Sequence, residues 1–250
     1  MVHLAVEPGG RQVAIKVLRP EVAGDALARR RLAREVEVMR LVRDDHVAEV
    51  VDADVTGDPP YIVTRYVPGV PLHQLVGQEG PLEVAALIRV GRGMAEALAA
   101  MHAAGVVHRD LKPSNVLLVD GDPVVIDLGI AQAVDSTRLT MTGMFIGTPG
   151  YLSPEIISGQ RVGPPADVHA WGATLLFAAT GRQPFGEGSF EKIFLNIVEG
   201  NADVGAAPVL LRPLLTDALA KDPALRPTAA LRPTAARLVG RLAELERGPA

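Results

Sequence analysis

The stretch HRDLKPSN at residues 108–115, followed by DLG at residues 127–129, decides the fold of this chain. Between them lie two apolar runs, VLLV and VVI, joined by DGDP, a pattern that predicts a β-hairpin with a short loop. An antiparallel hairpin brings the start of its first strand beside the end of its second, so Asn115 and Asp127 are predicted neighbours. A carboxylate beside an amide oxygen forms a hard-oxygen site that suits Mg²⁺, which takes its remaining ligands from water and substrate phosphates.

Length and composition indicate an ordinary globular protein. The chain has 250 residues, of which 48% are hydrophobic, so it has enough apolar material for one substantial core. Its net charge of −4 and the lack of long like-charged runs argue against a nucleic-acid partner. It has no cysteine, which excludes disulfides and thiolate metal sites. No apolar stretch reaches the roughly 18 residues of a membrane span, and the start is not signal-like, so we expect a cytoplasmic location.

The part of the chain before the break at Pro68-Gly69 is predicted to form a small sheet with one main helix. β-Branched residues predict strands over residues 13–18, 47–55 and 61–67. The apolar positions of a helix over residues 26–42 recur at steps of three or four: Leu32, Val36, Met39 and Val42. This region would be a sheet-rich lobe.

The part after that break is predicted to be mainly helical outside the hairpin. Apolar periodicity predicts five helices: residues 82–104, 166–180, 190–199, 209–220 and 234–247. Gly105 is a suitable residue to end the first of them. The pattern therefore predicts an α+β chain with a small lobe over residues 1–67 and a larger one over residues 68–250.

The two motifs and their order resemble the Ser/Thr protein kinases, and in particular their bacterial, actinobacterial-type branch. The resemblance runs from Val2 to about Arg241. It implies one kinase domain with a bilobal fold, an N-lobe with one main helix and a mainly helical C-lobe. It also implies an ATP-dependent protein Ser/Thr kinase that transfers the γ-phosphoryl group of MgATP to proteins, including its own activation segment.

The resemblance assigns the catalytic roles. Asp110 would accept the hydroxyl proton of the protein substrate, and Lys112 would neutralise charge on the moving phosphoryl group. Asn115 and Asp127 would bind Mg²⁺, with Mn²⁺ as a substitute. Thr148, near the end of the activation segment, would contact Asp110 and Lys112.

The resemblance also assigns the nucleotide site. Lys16 and Glu35 match the family's lysine–glutamate pair, in which the lysine holds the α- and β-phosphates of ATP. Four further residues would line the adenine pocket: Ala14, Thr64, Arg65 and Val67. Ala14 shares a strand face with Lys16, because residues two apart in a strand lie on the same side. Thr64 would lie at the back of the pocket. The backbone of residues 65–67 would form the hinge that hydrogen-bonds adenine.

Further residues are assigned structural roles. They are His108, Arg109, Glu155, Asp167 and Arg226. His108 would pack and hydrogen-bond, and Asp167 would begin a long buried helix that braces the catalytic loop. Glu155 would pair with a later arginine, and the repeat of LRPTAA at residues 225–230 and 231–236 leaves Arg226 and Arg232 as open candidates.

Thr140 and Thr142 lie where bacterial kinases of this type are phosphorylated. A phosphate there adds nearly two negative charges, which could pair with Arg109 and order the activation segment. The expected partners are therefore ATP and protein substrates, with a kinase–kinase dimer as a further option.

The sequence departs from the family pattern at two places. Leu128 stands where most kinases have phenylalanine, and no Gly-rich loop precedes residues 2–6, which resemble the strand that follows that loop. The GRG at residues 91–93 lies in a predicted helix, the wrong context for a phosphate loop. Two explanations stay open: the sequence begins inside a longer coding region, or the protein is a truncated, weakly active kinase.

Two other function classes share much of this pattern. A pseudokinase that acts as a binding or scaffold module usually lacks at least one of four residues that are all present here: Lys16, Asp110, Asn115 and Asp127. A small-molecule phosphotransferase would share three of them, but the complete segment over residues 140–155 argues against it.

Overall fold

A computed structural model describes residues 1–18, 26–127, 149–227 and 242–243. Its first sheet is antiparallel and consists of β1 (Val2–Val6), β2 (Gln12–Val17), β3 (Val50–Asp54) and β4 (Tyr61–Arg65), in the order β1-β2-β4-β3. The predicted strands are confirmed, although β3 and β4 are shorter than expected. The turn between β1 and β2 depends on Gly10, whose φ of 83° is easily reached only without a side chain.

The main helix of this region is α1 (Ala26–Met39), which packs on the sheet. The predicted apolar stripe is confirmed: Leu32, Val36 and Met39 are buried. The helix ends three residues earlier than predicted, yet Val42 is also buried, because a turn closed by a hydrogen bond from its N–H to the Met39 carbonyl keeps it in the core. The apolar pattern therefore predicts burial correctly as far as Val42, although the helix itself ends at Met39.

The predicted hairpin is present as β6 (Val116–Val119) and β7 (Asp122–Val125), with the short strand β5 (Val70–Pro71) beside β6. The loop is shorter than predicted: Val119 pairs with Asp122, so only Asp120 and Gly121 form the turn. Both have positive φ, 52° and 85°, which is the type I′ geometry that suits the twist of a hairpin.

The remaining helices form the second lobe. They are α2 (Leu72–Glu79), α3 (Val84–Ala103), α4 (Pro154–Ile157), α5 (Pro164–Thr180), α6 (Phe190–Val198) and α7 (Arg212–Ala218). The end of α3 is confirmed, since Gly105 follows with φ 81°. The predicted helix over residues 234–247 lies almost wholly outside the described residues. No described helix is both long and apolar enough to cross a membrane.

The core of this lobe is the contact of α3 with α5. Trp171 is fully buried and its Nε1–H donates to the Gly91 carbonyl at 2.8 Å. A Cβ at Gly91 would lie 3.1 Å from the Leu175 side chain, and one at Gly93 would overlap Pro123 at 2.5 Å. The two glycines therefore allow α3 to pack closely against its neighbours. Their role is in helix packing, which agrees with the sequence-based prediction that they do not form a phosphate loop.

One buried group in α5 lacks the partners that burial normally demands. His169 is fully buried, and neither ring nitrogen has a hydrogen-bond partner among the described residues. Its ring stacks on Phe185, with centroids 5.6 Å apart and 10° between planes. Burial, and then the positive charges of Arg226 and Lys221, hold the pKa of His169 well below its ordinary value.

His169→Phe is expected to stabilise the fold by about 1 kcal/mol at pH 7.5, because it removes two unpartnered nitrogens and keeps the stacked ring. The gain should grow at pH 5.5. A histidine in the unfolded chain binds a proton below about pH 6.5, whereas folded His169 does not, so stability falls as the pH drops through that value. Urea unfolding at both pH values measures this, with the exposed His73→Gln as control. Equal loss of stability on acidification in wild type and His169→Phe would contradict the prediction.

Candidate active site

The hairpin brings the two predicted metal-binding residues to one place. The Ile126 N–H donates to the Asn115 carbonyl at 2.9 Å, which extends the β6–β7 pairing by one step beyond Val116 and Val125. Asp127 follows with φ 58°, a left-handed conformation that is unusual for a residue with a side chain. Asp127 therefore directly follows Ile126, the residue whose backbone is bonded to Asn115.

The catalytic-loop residues form a connected polar group. Lys112 Nζ lies 2.8 Å from Asp110 Oδ2 and 3.0 Å from Oδ1. Asn115 Nδ2 donates to the Asp110 carbonyl at 2.8 Å and to its Oδ2 at 3.1 Å. Because these bonds fix the amide with its NH₂ toward Asp110, Asn115 Oδ1 accepts, among the described residues, only from Ser114 Oγ at 3.5 Å.

The carboxylate of Asp167 holds the backbone of this loop through hydrogen bonds. Its Oδ2 accepts from the His108 backbone N–H at 2.8 Å, and its Oδ1 accepts from the Arg109 backbone N–H at 2.7 Å. His102 Nε2 lies 2.7 Å from Oδ2. Arg109 itself has φ 64°, so the carboxylate holds a backbone conformation that a non-glycine residue rarely adopts.

His108 is fully buried and bonded at both ring nitrogens. Its Nδ1 is 3.2 Å from the Asp110 backbone N–H, which can only donate, so Nδ1 accepts. Its Nε2 then carries the proton and donates to the Ile126 carbonyl at 3.1 Å. The ring thus joins the catalytic loop to the end of β7.

The predicted lysine–glutamate pair has different partners in this structure. Lys16 Nζ lies 2.9 Å from Asp127 Oδ1, and Glu35 Oε1 lies 3.8 Å from Arg109 Nη1. Lys16 therefore pairs with Asp127, which follows β7, and not with Glu35 on α1. Burial raises the pKa of Glu35 and Arg109 lowers it by a smaller amount. The pairing of Lys16 with Glu35 stays a prediction.

The strand register places two further residues, Val2 and Leu4, on the sheet face that carries Ala14 and Lys16. Leu4 pairs with Ala14, which pairs with Thr64, and Val2 pairs with Lys16. Directly opposed residues in antiparallel strands share one face of the sheet. Val2 and Leu4, both more than half exposed, therefore extend the apolar face of Ala14. The signal was the period-two pattern of residues 2–6, which acquires meaning only once its pairing with β2 is known.

The predicted hinge follows β4. The Arg65 N–H donates to the Glu49 carbonyl at 2.9 Å, which ties the end of the strand to the segment before β3. Val67 is buried, and its backbone N–H has no hydrogen-bond partner among residues 1–18, 26–127 and 149–227. A backbone donor without a protein partner in a largely buried residue is available to a ligand.

Glu155 pairs with Arg226 deep in the second lobe. Arg226 Nη1 lies 2.6 Å from Oε1 and Nη2 lies 2.9 Å from Oε2. The other N–H groups of the guanidinium donate to the carbonyls of Ala220, Pro165 and Lys221. All five donors are used, which offsets the cost of burying both charges. The rival, Arg232, lies outside the described residues.

Three predicted site residues also lie outside the described residues: Thr140, Thr142 and Thr148. Among the residues described, no group of three His, Cys, Asp or Glu side chains could hold a metal ion by itself. Asn115 and Asp127 supply two hard oxygens, a set that fits Mg²⁺ when phosphate oxygens complete the coordination. The site therefore combines the carboxylates of Asp110 and Asp127 with the ammonium groups of Lys16 and Lys112.

Comparisons with known proteins agree with this geometry. A sequence model described as the protein kinase domain matches residues 1–232. The chain is 46% identical over 229 residues to the probable serine/threonine-protein kinase PkwA of Thermomonospora curvata, covering 92% of this chain and 31% of that protein. It is 45% identical over 244 residues to the serine/threonine-protein kinase AfsK of Streptomyces griseus, covering 97% of this chain and 30% of that one.

A solved structure supports the fold. The kinase domain of PknI from Mycobacterium tuberculosis matches with a TM-score of 0.72 at 27% identity, covering 97% of this chain and 90% of that one. The predicted α+β bilobal kinase fold is confirmed. The chain spans about a third of the length of the curated relatives that it matches. The division between residues 67 and 68 stays a prediction.

Proposed function

Because the chain belongs to the protein kinase domain family, we propose that it transfers the γ-phosphoryl group of ATP to Ser and Thr hydroxyls of proteins. One observation carries the proposal. The carboxylate of Asp110 contacts Lys112 Nζ at 2.8 Å and the amide of Asn115 at 3.1 Å, and Asp127 follows at the end of the same hairpin. A base, a countercharge and a metal platform are thus held by one short stretch of backbone.

In the proposed reaction, a substrate hydroxyl oxygen forms a bond to the γ-phosphorus while the bond from that phosphorus to the β–γ bridging oxygen breaks. Asp110 takes the hydroxyl proton, and ADP leaves with the bridging oxygen. Lys112 stabilises the charge on the transferring phosphoryl group. Asn115 orients Asp110 through two hydrogen bonds. A divalent ion, Mg²⁺ or Mn²⁺, held by Asn115 and Asp127, would neutralise phosphate charge when bound.

The nucleotide would lie along the cleft face of the sheet, which is the face that carries Ala14, Lys16 and Thr64. Ala14 and Leu4 would pack on the adenine ring, with Thr64 behind it. The Val67 N–H would donate to the ring, and the Arg65 carbonyl would accept from it. Lys16 would exchange its contact with Asp127 for the α- and β-phosphates and for Glu35.

A binding or scaffold module is the alternative. It predicts a folded protein without phosphoryl transfer, and the presence of Lys16, Asp110, Asn115 and Asp127 in one connected site favours the enzyme instead. We further propose protein substrates that include the chain's own activation segment, a dimer of two kinase domains as one route to that reaction, and a cytoplasmic location.

Phosphorylation of Thr140 or Thr142 is the proposed activating event, with Arg109 as partner of the phosphate. Arg109 suits this role because its guanidinium is poorly satisfied. Its nearest carboxylate, Glu35, is 3.8 Å away, and its buried Nε has no partner among the described residues. A phosphate would supply stronger, charge-assisted hydrogen bonds.

Asp110→Asn should lower phosphoryl transfer by at least about 10²-fold, because it removes the proton acceptor. The assay incubates the purified chain with radiolabelled ATP, Mg²⁺ and a generic basic protein. Asp122→Asn, at the first residue of β7, is the matched control and should retain activity, because Asp122 is half-exposed and pairs with Arg89 rather than with the site. Equal incorporation by wild type and Asp110→Asn would refute the enzymatic function of this chain.

The double variant Thr140→Ala, Thr142→Ala should lower both autophosphorylation and substrate phosphorylation by about tenfold or more, because Arg109 would lose its phosphate partner. The same radiolabel assay measures both, and mass spectrometry of the wild type locates the phosphates. Unchanged rates for both reactions would show that these threonines do not regulate the kinase.

A further inference from the structure

We propose that a cavity in the second lobe binds a free amino acid with an apolar side chain. The cavity has a volume of about 300 Å³ and lies where the end of α5 meets α6 and residues 200–206. None of the residues that line it belongs to the proposed catalytic or nucleotide site. Binding at this cavity is therefore additional to the proposed function and does not depend on it.

Two opposite charges line the cavity: Arg182, which follows α5, and Asp203, which follows α6. They form no ion pair with each other, and neither side chain has a partner among the residues that the structure describes. Asp203 directly precedes a 3₁₀ turn, where an aspartate commonly accepts a bond from a backbone N–H, yet its carboxylate makes no such bond. The other lining residues are uncharged. A ligand that carries one charge of each sign, such as an amino acid, matches this pair.

Asn196 on α6 supplies a further acceptor for the ammonium group of such a ligand. Its Nδ2 donates to the Phe185 carbonyl at 2.9 Å, which fixes the orientation of the amide. Its Oδ1 accepts no hydrogen bond from the described part of the chain. An ammonium group has three N–H donors, so it would bond to Asp203 and to Asn196 Oδ1 at once. Arg182 would bind the carboxylate through two parallel N–H bonds.

The apolar part of the lining indicates which side chain the amino acid has. It consists mainly of Leu176, Pro184 and Phe185, all of which are buried. The ring of Phe185 stacks on His169, and Lys221 Nζ lies 5.2 Å from its centroid, so this wall is ordered before a ligand binds. An engineered apolar cavity of about 150 Å³ in another protein binds benzene. A volume of about 300 Å³ therefore has room for a phenyl ring together with the α-amino and carboxylate groups.

L-Phenylalanine is the probe, and the full chain without nucleotide is the protein. A chemical-shift titration should give saturable binding. Two analogues should each bind at least about fivefold more weakly: 3-phenylpropanoate, which lacks the ammonium group, and phenethylamine, which lacks the carboxylate.

Arg182→Gln and Asp203→Asn should each weaken the binding of L-phenylalanine by a similar factor. Both residues are exposed, so neither replacement should unfold the chain. Arg161→Gln and Asp45→Asn, exposed residues outside the cavity, are the matched controls and should bind as wild type does. In Asp203→Asn the preference for L-phenylalanine over 3-phenylpropanoate should also shrink, because the carboxylate that distinguishes the two ligands is gone.

Four results would overturn the proposal. The first is a lack of saturable binding at up to about 20 mM L-phenylalanine. Analogues that bind as tightly as L-phenylalanine would remove the role of the two charges. Equal dissociation constants for Asp203→Asn and Asp45→Asn would show that the ligand does not bind at this cavity. Displacement of L-phenylalanine by adenosine in a one-to-one competition would place it in the nucleotide cleft instead.

Discussion

The buried carboxylate of Asp167 is the constraint on which the candidate site depends. It is fully buried in the first turn of α5, where the helix dipole favours negative charge. A buried carboxylate is costly unless donors surround it, and here the donors are the N–H groups of His108 and Arg109 and the ring of His102. Satisfying that carboxylate fixes the backbone that leads into Asp110, including the left-handed conformation of Arg109.

The charged groups of the molecule divide into fixed and exchangeable ones. Glu155 and Arg226 are buried and completely hydrogen-bonded, so neither can leave the other without exposing an unpaired charge. Lys16 and Glu35 are about one-third exposed, and their contacts with Asp127 and Arg109 are screened by solvent. Those contacts can change at little cost. A rigid catalytic loop therefore stands beside ion pairs that can rearrange when nucleotide or another anion binds.

Local patterns predicted the parts of this structure that depend on neighbours in sequence. The hairpin, the stripe of α1 and the end of α3 at Gly105 all follow from residues a few positions apart. The partners of Lys16 and Glu35 did not follow, because Asp127 and Arg109 come from distant parts of the chain that only the fold brings near them. Val2 and Leu4 were missed for a related reason: their place on the cleft face depends on the β1–β2 register.

Amide hydrogen exchange of the catalytic loop tests most directly whether one buried carboxylate orders it. In Asp167→Asn the side chain loses an acceptor oxygen, so the amides of His108 and Arg109 should exchange at least about tenfold faster than in wild type. The amides of β2 and β4 should stay protected, and Asp122→Asn should leave all of them unchanged. Equal protection of His108 and Arg109 in wild type and Asp167→Asn would contradict the central role of Asp167.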